Sequence, residues 1–290
     1  MSKKLAIFGC GYLGYEIARQ AQDKGWIVTA LTRNEETASS LRSLGLSQLV
    51  VDELDGDSWH DSIEANQDYV VNCVGSSSHD VQGYVKSYVE GQESIMKWSE
   101  KGSVGTFVYT SSSSVYPQTG RRLVDETASS DGVSELGGLL LAAEQFGFPG
   151  GDSVGRSFVL RLGGLYGPGR HLLLDSVRKG EVLSGNGDRV LNLIHRDDAV
   201  SAIFAVLGSP ESNVGRIYNV TDGHHATRAE IVDWLSTKLG VEKPSFSEDD
   251  SEDQPNRKVS NDRIRDELDW TPSFPSFRSG YESFLDSAND

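Results

Sequence analysis

Cysteine is scarce: Cys10 and Cys73 are the only two in 290 residues. That excludes a disulfide framework and a cysteine-rich metal centre, and no metal is expected. Long apolar runs are also missing. The start, Met1-Ser2-Lys3-Lys4, leads into a strand with too few apolar residues for a signal-peptide core or a membrane span, so a cytoplasmic protein is expected. Basic charge is in deficit, with 27 Lys and Arg against 43 Asp and Glu and a formal charge of -16. Such a surface disfavours nucleic acid and anionic lipid as partners and keeps the chain soluble. No repeat period is visible. The length suffices for one large α/β domain, or a nucleotide-binding unit with a smaller appendage.

What is present begins at Gly9-Cys10-Gly11-Tyr12-Leu13-Gly14, between an apolar run (Leu5 to Phe8) and an amphipathic stretch through Ile17 and Ala18. Three glycines at a strand-to-helix junction form a dinucleotide cradle. Gly9 permits the tight turn, Gly11 lets backbone approach a pyrophosphate, and Gly14 lets helix and strand pack closely. The N–H groups of the helix start, at Tyr12 and Leu13, then face the phosphates. Cys73 reads as core. Cys10 reads as a small residue that fits the loop, with a redox role as the alternative.

After the helix from Tyr12 to about Lys24, Trp26 to Leu31 reads as a buried second strand ending in Thr32-Arg33-Asn34. An NAD-specific site would carry an acid about 20 residues after the glycines. Here a guanidinium stands instead, a planar cation suited to a 2′-phosphate, so NADP(H) is expected in preference to NAD(H). Glu35 and Glu36 come too late and suit the start of the next helix. A third strand, Gln48 to Val51, ends at Asp52, and the stretch Asp52 to Asp55 either borders the adenine or is a solvated loop. A fourth, from Tyr69, ends at Val74-Gly75-Ser76, in the crevice that parallel strands form beyond their carboxyl ends.

A long helix from about Val81 to Lys101 and a fifth strand, Gly105 to Tyr109, lead into Thr110-Ser111-Ser112-Ser113-Ser114-Val115-Tyr116. A helix from Ser134 to Phe146 and a sixth strand, Ser157 to Leu162, follow. The glycine-rich segment Gly163 to His171 then breaks the alternation. The fold class is α/β, a Rossmann-type doubly wound parallel sheet with a smaller α+β domain. Residues 1–165 form the dinucleotide-binding domain and 166–290 the substrate domain, with a return segment at about 192–221 packing on the first. In the remainder, Asp197 to Leu207 and Thr227 to Leu239 read as helices, the latter opened by a Thr227/Glu230 capping box. Arg216 to Val220 reads as a strand rejoining the main sheet. Glu248 to Asp253 reads as a solvated acidic loop, and Asn261 to Leu268 as a final pair of helical turns.

Taken in order, these motifs resemble the extended short-chain dehydrogenase/reductase superfamily, the NAD(P)-dependent epimerases and dehydratases, over nearly the whole chain. The segments are Gly9-x-Gly11-x-x-Gly14, Thr110 to Tyr116, Arg161-x-x-x-x-Tyr166-Gly167-Pro168-Gly169-Arg170, His195-x-Asp197-Asp198 and Trp270-Thr271-Pro272. Within it the chain is similar to the atypical, YeeZ-like group. The resemblance implies a serine that orients a carbonyl, a tyrosine that moves a proton, and a lysine four residues later that holds the nicotinamide ribose. The serine falls on Ser112. The Tyr and Lys positions fall on Leu136 and Leu140, and neither residue type occurs anywhere between Tyr116 and Tyr166. Leucine moves no proton.

Two readings follow. In the first the chain is an oxidoreductase or epimerase of a small hydroxylated or sugar-like substrate. Ser112 polarises the carbonyl, Tyr116 or His171 supplies the proton, and Ser113, Arg170, Asn192 and His195 line the substrate, while Ser111 borders the cofactor. In the second it is a non-catalytic NADP(H) sensor. A homodimer through the helices near Val81 to Lys101 and Ser134 to Phe146 is implied by the resemblance alone.

Overall fold

The computed structural model describes residues 2–46, 48–76, 78–146, 152–247 and 255–285. The chain divides into two compact units that are discontinuous in sequence.

The first unit comprises Met1–Val115, Ser134–Arg161 and Ala202–Tyr218. Its strands are β1 (Lys4–Phe8), β2 (Ile27–Thr32), β3 (Gln48–Val51), β4 (Gln67–Asn72) and β5 (Val104–Ser112). Strand β1 is a run of Leu5, Ala6, Ile7 and Phe8, each at most 1% exposed, as suits a parallel strand covered on both faces. Helix α1 (Tyr12–Asp23) buries Ile17, Ala18 and Ala21 and ends before Gly25, whose φ is 73°. Helix α2 (Glu35–Ser43) is capped by Asn34, whose side chain accepts from Thr37 N–H. The expected long helix is three pieces: α3 (Val81–Tyr84), a six-residue π segment (Val85–Glu90) and α4 (Gly91–Ser99). Phe8, Trp59 and Trp98 form the aromatic centre of the core.

In the second unit (Tyr116–Val133, Leu162–Ser201, Asn219–Asp290), β6 (Arg122–Val124) lies in the chain between β5 and α5 (Glu135–Phe146). The chain then runs through β7 (Val154–Leu162), β8 (Gly164–Tyr166), α6 (Leu173–Lys179), β9 (Val190–His195), α7 (Arg196–Leu207), β10 (Arg216–Val220), β11 (His225–Thr227), α8 (Arg228–Leu239), β12 (Arg257–Val259), α9 (Asp262–Leu268) and α10 (Phe277–Leu285). The seven-stranded sheet has the order β10-β7-β5-β4-β1-β2-β3, and its pairs β2–β3, β1–β2, β1–β4 and β4–β5 are parallel. This is a Rossmann-type doubly wound α/β fold, with the reversal of strand order falling between β1 and β4. In the second unit, β11-β9-β8 and β12-β6 form two small sheets. Its core gathers Tyr166, Leu193, Ile231, Leu235, Phe277 and Tyr281. The Thr227/Glu230 capping box opens α8, and Gly240, at φ 66°, ends it.

Several boundaries differ from the sequence reading. Strand β5 continues through Thr110, Ser111 and Ser112, because two of these hydroxyls are satisfied inside: Thr110 Oγ1 donates to Asn72 O at 3.2 Å and Ser111 Oγ to Glu144 Oε1 at 2.7 Å. A cut at residue 165 does not describe the units. Tyr116–Val133 belongs to the second, where β6 pairs in parallel with β12, and of the expected return segment Ala202–Tyr218 belongs to the first. The acidic stretch Glu248 to Asp253 lies outside the described residues.

Candidate cofactor and active site

At the carboxyl ends of the first-unit strands a cavity of about 200 Å³ is lined by Gly9, Gly11, Thr32, Arg33, Asp52, Val74 and Gly75, seven of the residues expected to hold the cofactor. Leu31, Asn34, Thr37, Glu53, Leu54, Asp55, Lys86 and Ser87 complete its wall. Gly9 has φ 79°, and a Cβ there would stand 2.5 Å from the backbone of Val74. At Gly14 a Cβ would come within 2.9 Å of Gly9 O and 3.0 Å of Cys73 Sγ, so the close packing of α1 on β1 requires glycine. At Gly11 a Cβ would meet nothing within 4 Å. That open space lies where backbone must approach a diphosphate. No side chain caps α1 and no acid occupies its first turn, so the positive end of the helix is kept for an anion. The residues present therefore fit a dinucleotide. Tyr12, Leu13, Gly14, Ser76 and Ser111 do not line the cavity. Leu13 and Gly14 are buried in α1, Ser76 N–H donates to Tyr88 Oη at 3.1 Å, and Ser111 is held by Glu144.

Arg33, at the end of β2, is exposed and makes no ion pair among the described residues. Carboxylates nearby are engaged. Glu35 pairs with Arg42 at 3.3 Å, and Asp52 accepts from Ser58 Oγ at 2.7 Å and from Glu53 N–H at 2.8 Å. Lys86, from the π segment, lies 3.8 Å from Glu53 and 3.6 Å from Asp55. Glu53, Leu54 and Asp55 fall in the stretch expected to border the adenine, whereas nothing in the local sequence marks Lys86 as a wall residue. Cys10 is fully buried, and its burial and the neighbouring Cys73 push the thiol well up, while burial takes Cys73 to about 12. Neither is a thiolate at neutral pH, which removes the redox alternative for Cys10.

Ser112 ends β5. Its Oγ accepts from Ser114 N–H at 3.1 Å, which leaves the hydroxyl hydrogen to be donated elsewhere. Leu136, half-buried, and Leu140, 3% exposed, stand one helical turn apart on α5. Four residues beyond, Glu144 accepts from Arg161 Nε at 3.0 Å and Nη2 at 2.7 Å, a buried two-pronged pair.

Several expected second-unit residues are turned inward. Tyr116 is fully buried and donates to Asn219 Oδ1 at 2.7 Å; Asn219 Nδ2 in turn donates to Ser260 O, so the expected role of Tyr116 as proton donor is withdrawn. Asn192 spends both ends of its carboxamide on β12, donating to Arg257 O and accepting from Val259 N–H. His195, 1% exposed, packs against Tyr166 and Phe274, and burial lowers its pKa. Asn192 and His195 are thus structural rather than substrate-facing, and Ser113 is also buried. Arg170 is exposed and closes a tight turn in which Gly167 N–H bonds Arg170 O and Arg170 N–H bonds Gly167 O. His171 keeps 28% of its side chain exposed. Its Nδ1 lies 3.1 Å from Asp175 Oδ1 and its Nε2 accepts from Gly169 N–H at 3.3 Å, which fixes the hydrogen on Nδ1. Among the described residues no group of His, Cys, Asp and Glu could hold a metal ion, and no helix is long and apolar enough to cross a membrane.

The family model of NAD dependent epimerases and dehydratases matches residues 6–221. The chain belongs to the NAD dependent epimerase/dehydratase family. By class it is of the NAD(P)-dependent oxidoreductase and epimerase type. It is 28% identical to Protein YeeZ of Escherichia coli K12 over 283 residues, covering 94% of this chain and 97% of that one. The putative NAD-dependent epimerase/dehydratase of Methylobacillus flagellatus superposes with a TM-score of 0.79 at 26% identity over the full length of both chains. The UDP-glucuronic acid 4-epimerase of Bacillus cereus, solved with UDP-glucuronic acid and NAD, superposes with a TM-score of 0.82 at 18% identity, covering 99% of each chain.

Proposed function

We propose that this family member is an NADP(H)-dependent oxidoreductase or epimerase of a small hydroxylated, sugar-like substrate, working without the Tyr-x-x-x-Lys pair. The observation that carries the reading is Arg33: a cation with no ion-pair partner among the described residues lines the cavity at the end of β2, where an NAD-specific site would carry an acid. The Bacillus cereus epimerase was solved with NAD, so the 2′-phosphate preference rests on this chain's own arginine.

When bound, the nicotinamide supplies or accepts hydride. Ser112 donates its free hydroxyl hydrogen to the substrate carbonyl oxygen and orients it. Leu136 and Leu140 offer no proton. The proton is carried by His171 at Nε2, which gives up its long bond from Gly169 N–H while Asp175 holds Nδ1–H, and Arg170 takes an anionic group of the substrate. Sugar nucleotides are the substrate class to try first, because the Bacillus cereus epimerase was solved with one. A homodimer through the helical stretch from Val81 to Lys101 and α5 belongs to the same reading; α5 is largely apolar, and light scattering at twice the 31.6 kDa chain mass would support it.

The test is turnover of a panel of carbonyls, sugars and sugar nucleotides with NADP or NADPH, followed by nicotinamide absorbance and product analysis. Turnover that falls on Ser112→Ala and His171→Gln supports the reading. Cofactor binding without turnover of any member favours the non-catalytic sensor.

A further inference from the structure

In the second unit, Leu123 on β6 and Lys258 on β12 are register partners, and they line a separate cavity of about 450 Å³. Arg121, His225, Ser260 and Arg265 share its wall. In a chain with 43 acidic and 27 basic residues, this wall gathers three permanent cations against one carboxylate, Asp262. Asp262 is tied to Ser260, whose Oγ donates to it at 2.7 Å. Lys258 and Arg265 have no ion-pair partner among the described residues. Arg121 pairs with Asp188 at 3.4 Å and is held in the left-handed region, at φ 58°, by its N–H bond to Asn256 O. Burial first, then Lys258 and neighbouring His224, lower the pKa of His225 against the weaker pull of Asp262, and its buried Nδ1 has no hydrogen-bond partner.

We propose that this cavity is a binding site for a phosphate ester of a small organic molecule, distinct from the dinucleotide cradle. Lys258 and Arg265 supply the two uncompensated charges that a phosphate dianion needs, one as a point charge and one as a planar fork. The volume exceeds what a bare anion fills and falls in the range of small-molecule pockets. Leu123, 64% exposed, gives the organic part an apolar wall. His225 lines the same cavity with an unpartnered Nδ1, and an anion seated beside Lys258 changes the field at its ring, so the His225 ring reports occupancy.

The experiment uses the full chain with its cradle first saturated with NADP. Inorganic phosphate and phenyl phosphate are titrated separately while histidine ring resonances are recorded by NMR, the His225 signal being assigned with His225→Gln. Both probes are expected to shift that signal saturably, phenyl phosphate roughly several-fold more tightly, and Leu123→Ser to remove the difference. Lys258→Gln with Arg265→Gln, the first half-buried and the second exposed, is expected to weaken both probes by roughly tenfold or more. A His225 signal that fails to saturate, or equal affinity in the double variant, overturns the site. Equal affinity for the two probes overturns its assignment to an organic ester.

Discussion

Tyr116 Oη and Asn219 Oδ1 meet at 2.7 Å in a buried hydrogen bond that joins residues 103 positions apart. A phenol used this way is a structural donor. Tyr116→Phe should leave turnover unchanged while lowering stability by about 1–2 kcal/mol, because Asn219 Oδ1 loses its donor in the interior. Parallel measurement of kcat and of the denaturation midpoint separates the two effects. A large loss of kcat without loss of stability would return Tyr116 to the chemistry.

The cradle admits no side chain at its first glycine. A Cβ at Gly9 meets the Val74 backbone at 2.5 Å, and φ is 79°. Gly9→Ala should weaken cofactor binding on the order of a hundredfold or more, read by fluorescence titration. Gly11→Ala, where the space is open, should hurt binding only when the dinucleotide is present and leave the unfolding midpoint unchanged.

The Glu144–Arg161 pair lies inside the first unit with Ser111 donating to it. Glu144→Ala removes the carboxylate that a buried guanidinium faces and should cost about 3–5 kcal/mol. Denaturant unfolding measures it, and a loss below about 1 kcal/mol would mean that Arg161 finds another partner or water.

Asp222 sets a pH dependence. Burial, with a smaller push from Asp198, raises its pKa to about 7 despite the hydrogen bond from His224 N–H, and its Oδ2 has no hydrogen-bond partner. The folded state therefore holds a proton that the unfolded chain releases in the ordinary carboxylate range near 4. Stability falls as pH rises from about 4 to 7, by up to about 4 kcal/mol, and levels off above. Asp222→Asn keeps the acceptor for His224 and removes this slope. Its midpoint should exceed that of the parent protein at alkaline pH, and the advantage should shrink as pH falls; a constant difference across that range would show that Asp222 ionises normally.

The legible parts of the sequence were those whose cause is local. Strands β1, β2 and β4 are apolar runs buried in a parallel sheet, and Gly9 and Gly14 are glycines because backbone or sulfur occupies the place of a Cβ. Strands β6 and β12 have three residues each and pair across 135 positions, from Arg122 to Arg257, so no window shows them. The π segment that brings Lys86 to the cavity likewise leaves no periodic trace. Asn192 and His195 have the residue types of a site, but their orientation follows from the packing of β9, which directs one to β12 and the other among Tyr166 and Phe274. The lack of any tyrosine or lysine between Tyr116 and Tyr166 was legible because it needed only residue identity.

The most direct test of the account is calorimetric titration of NADP and NAD into the parent protein and Arg33→Ala. The account expects NADP to bind more tightly to the parent, and Arg33→Ala to lose roughly ten- to a hundredfold in NADP affinity while NAD affinity stays the same. Equal losses for both nucleotides, or an unchanged preference for NADP, would contradict it.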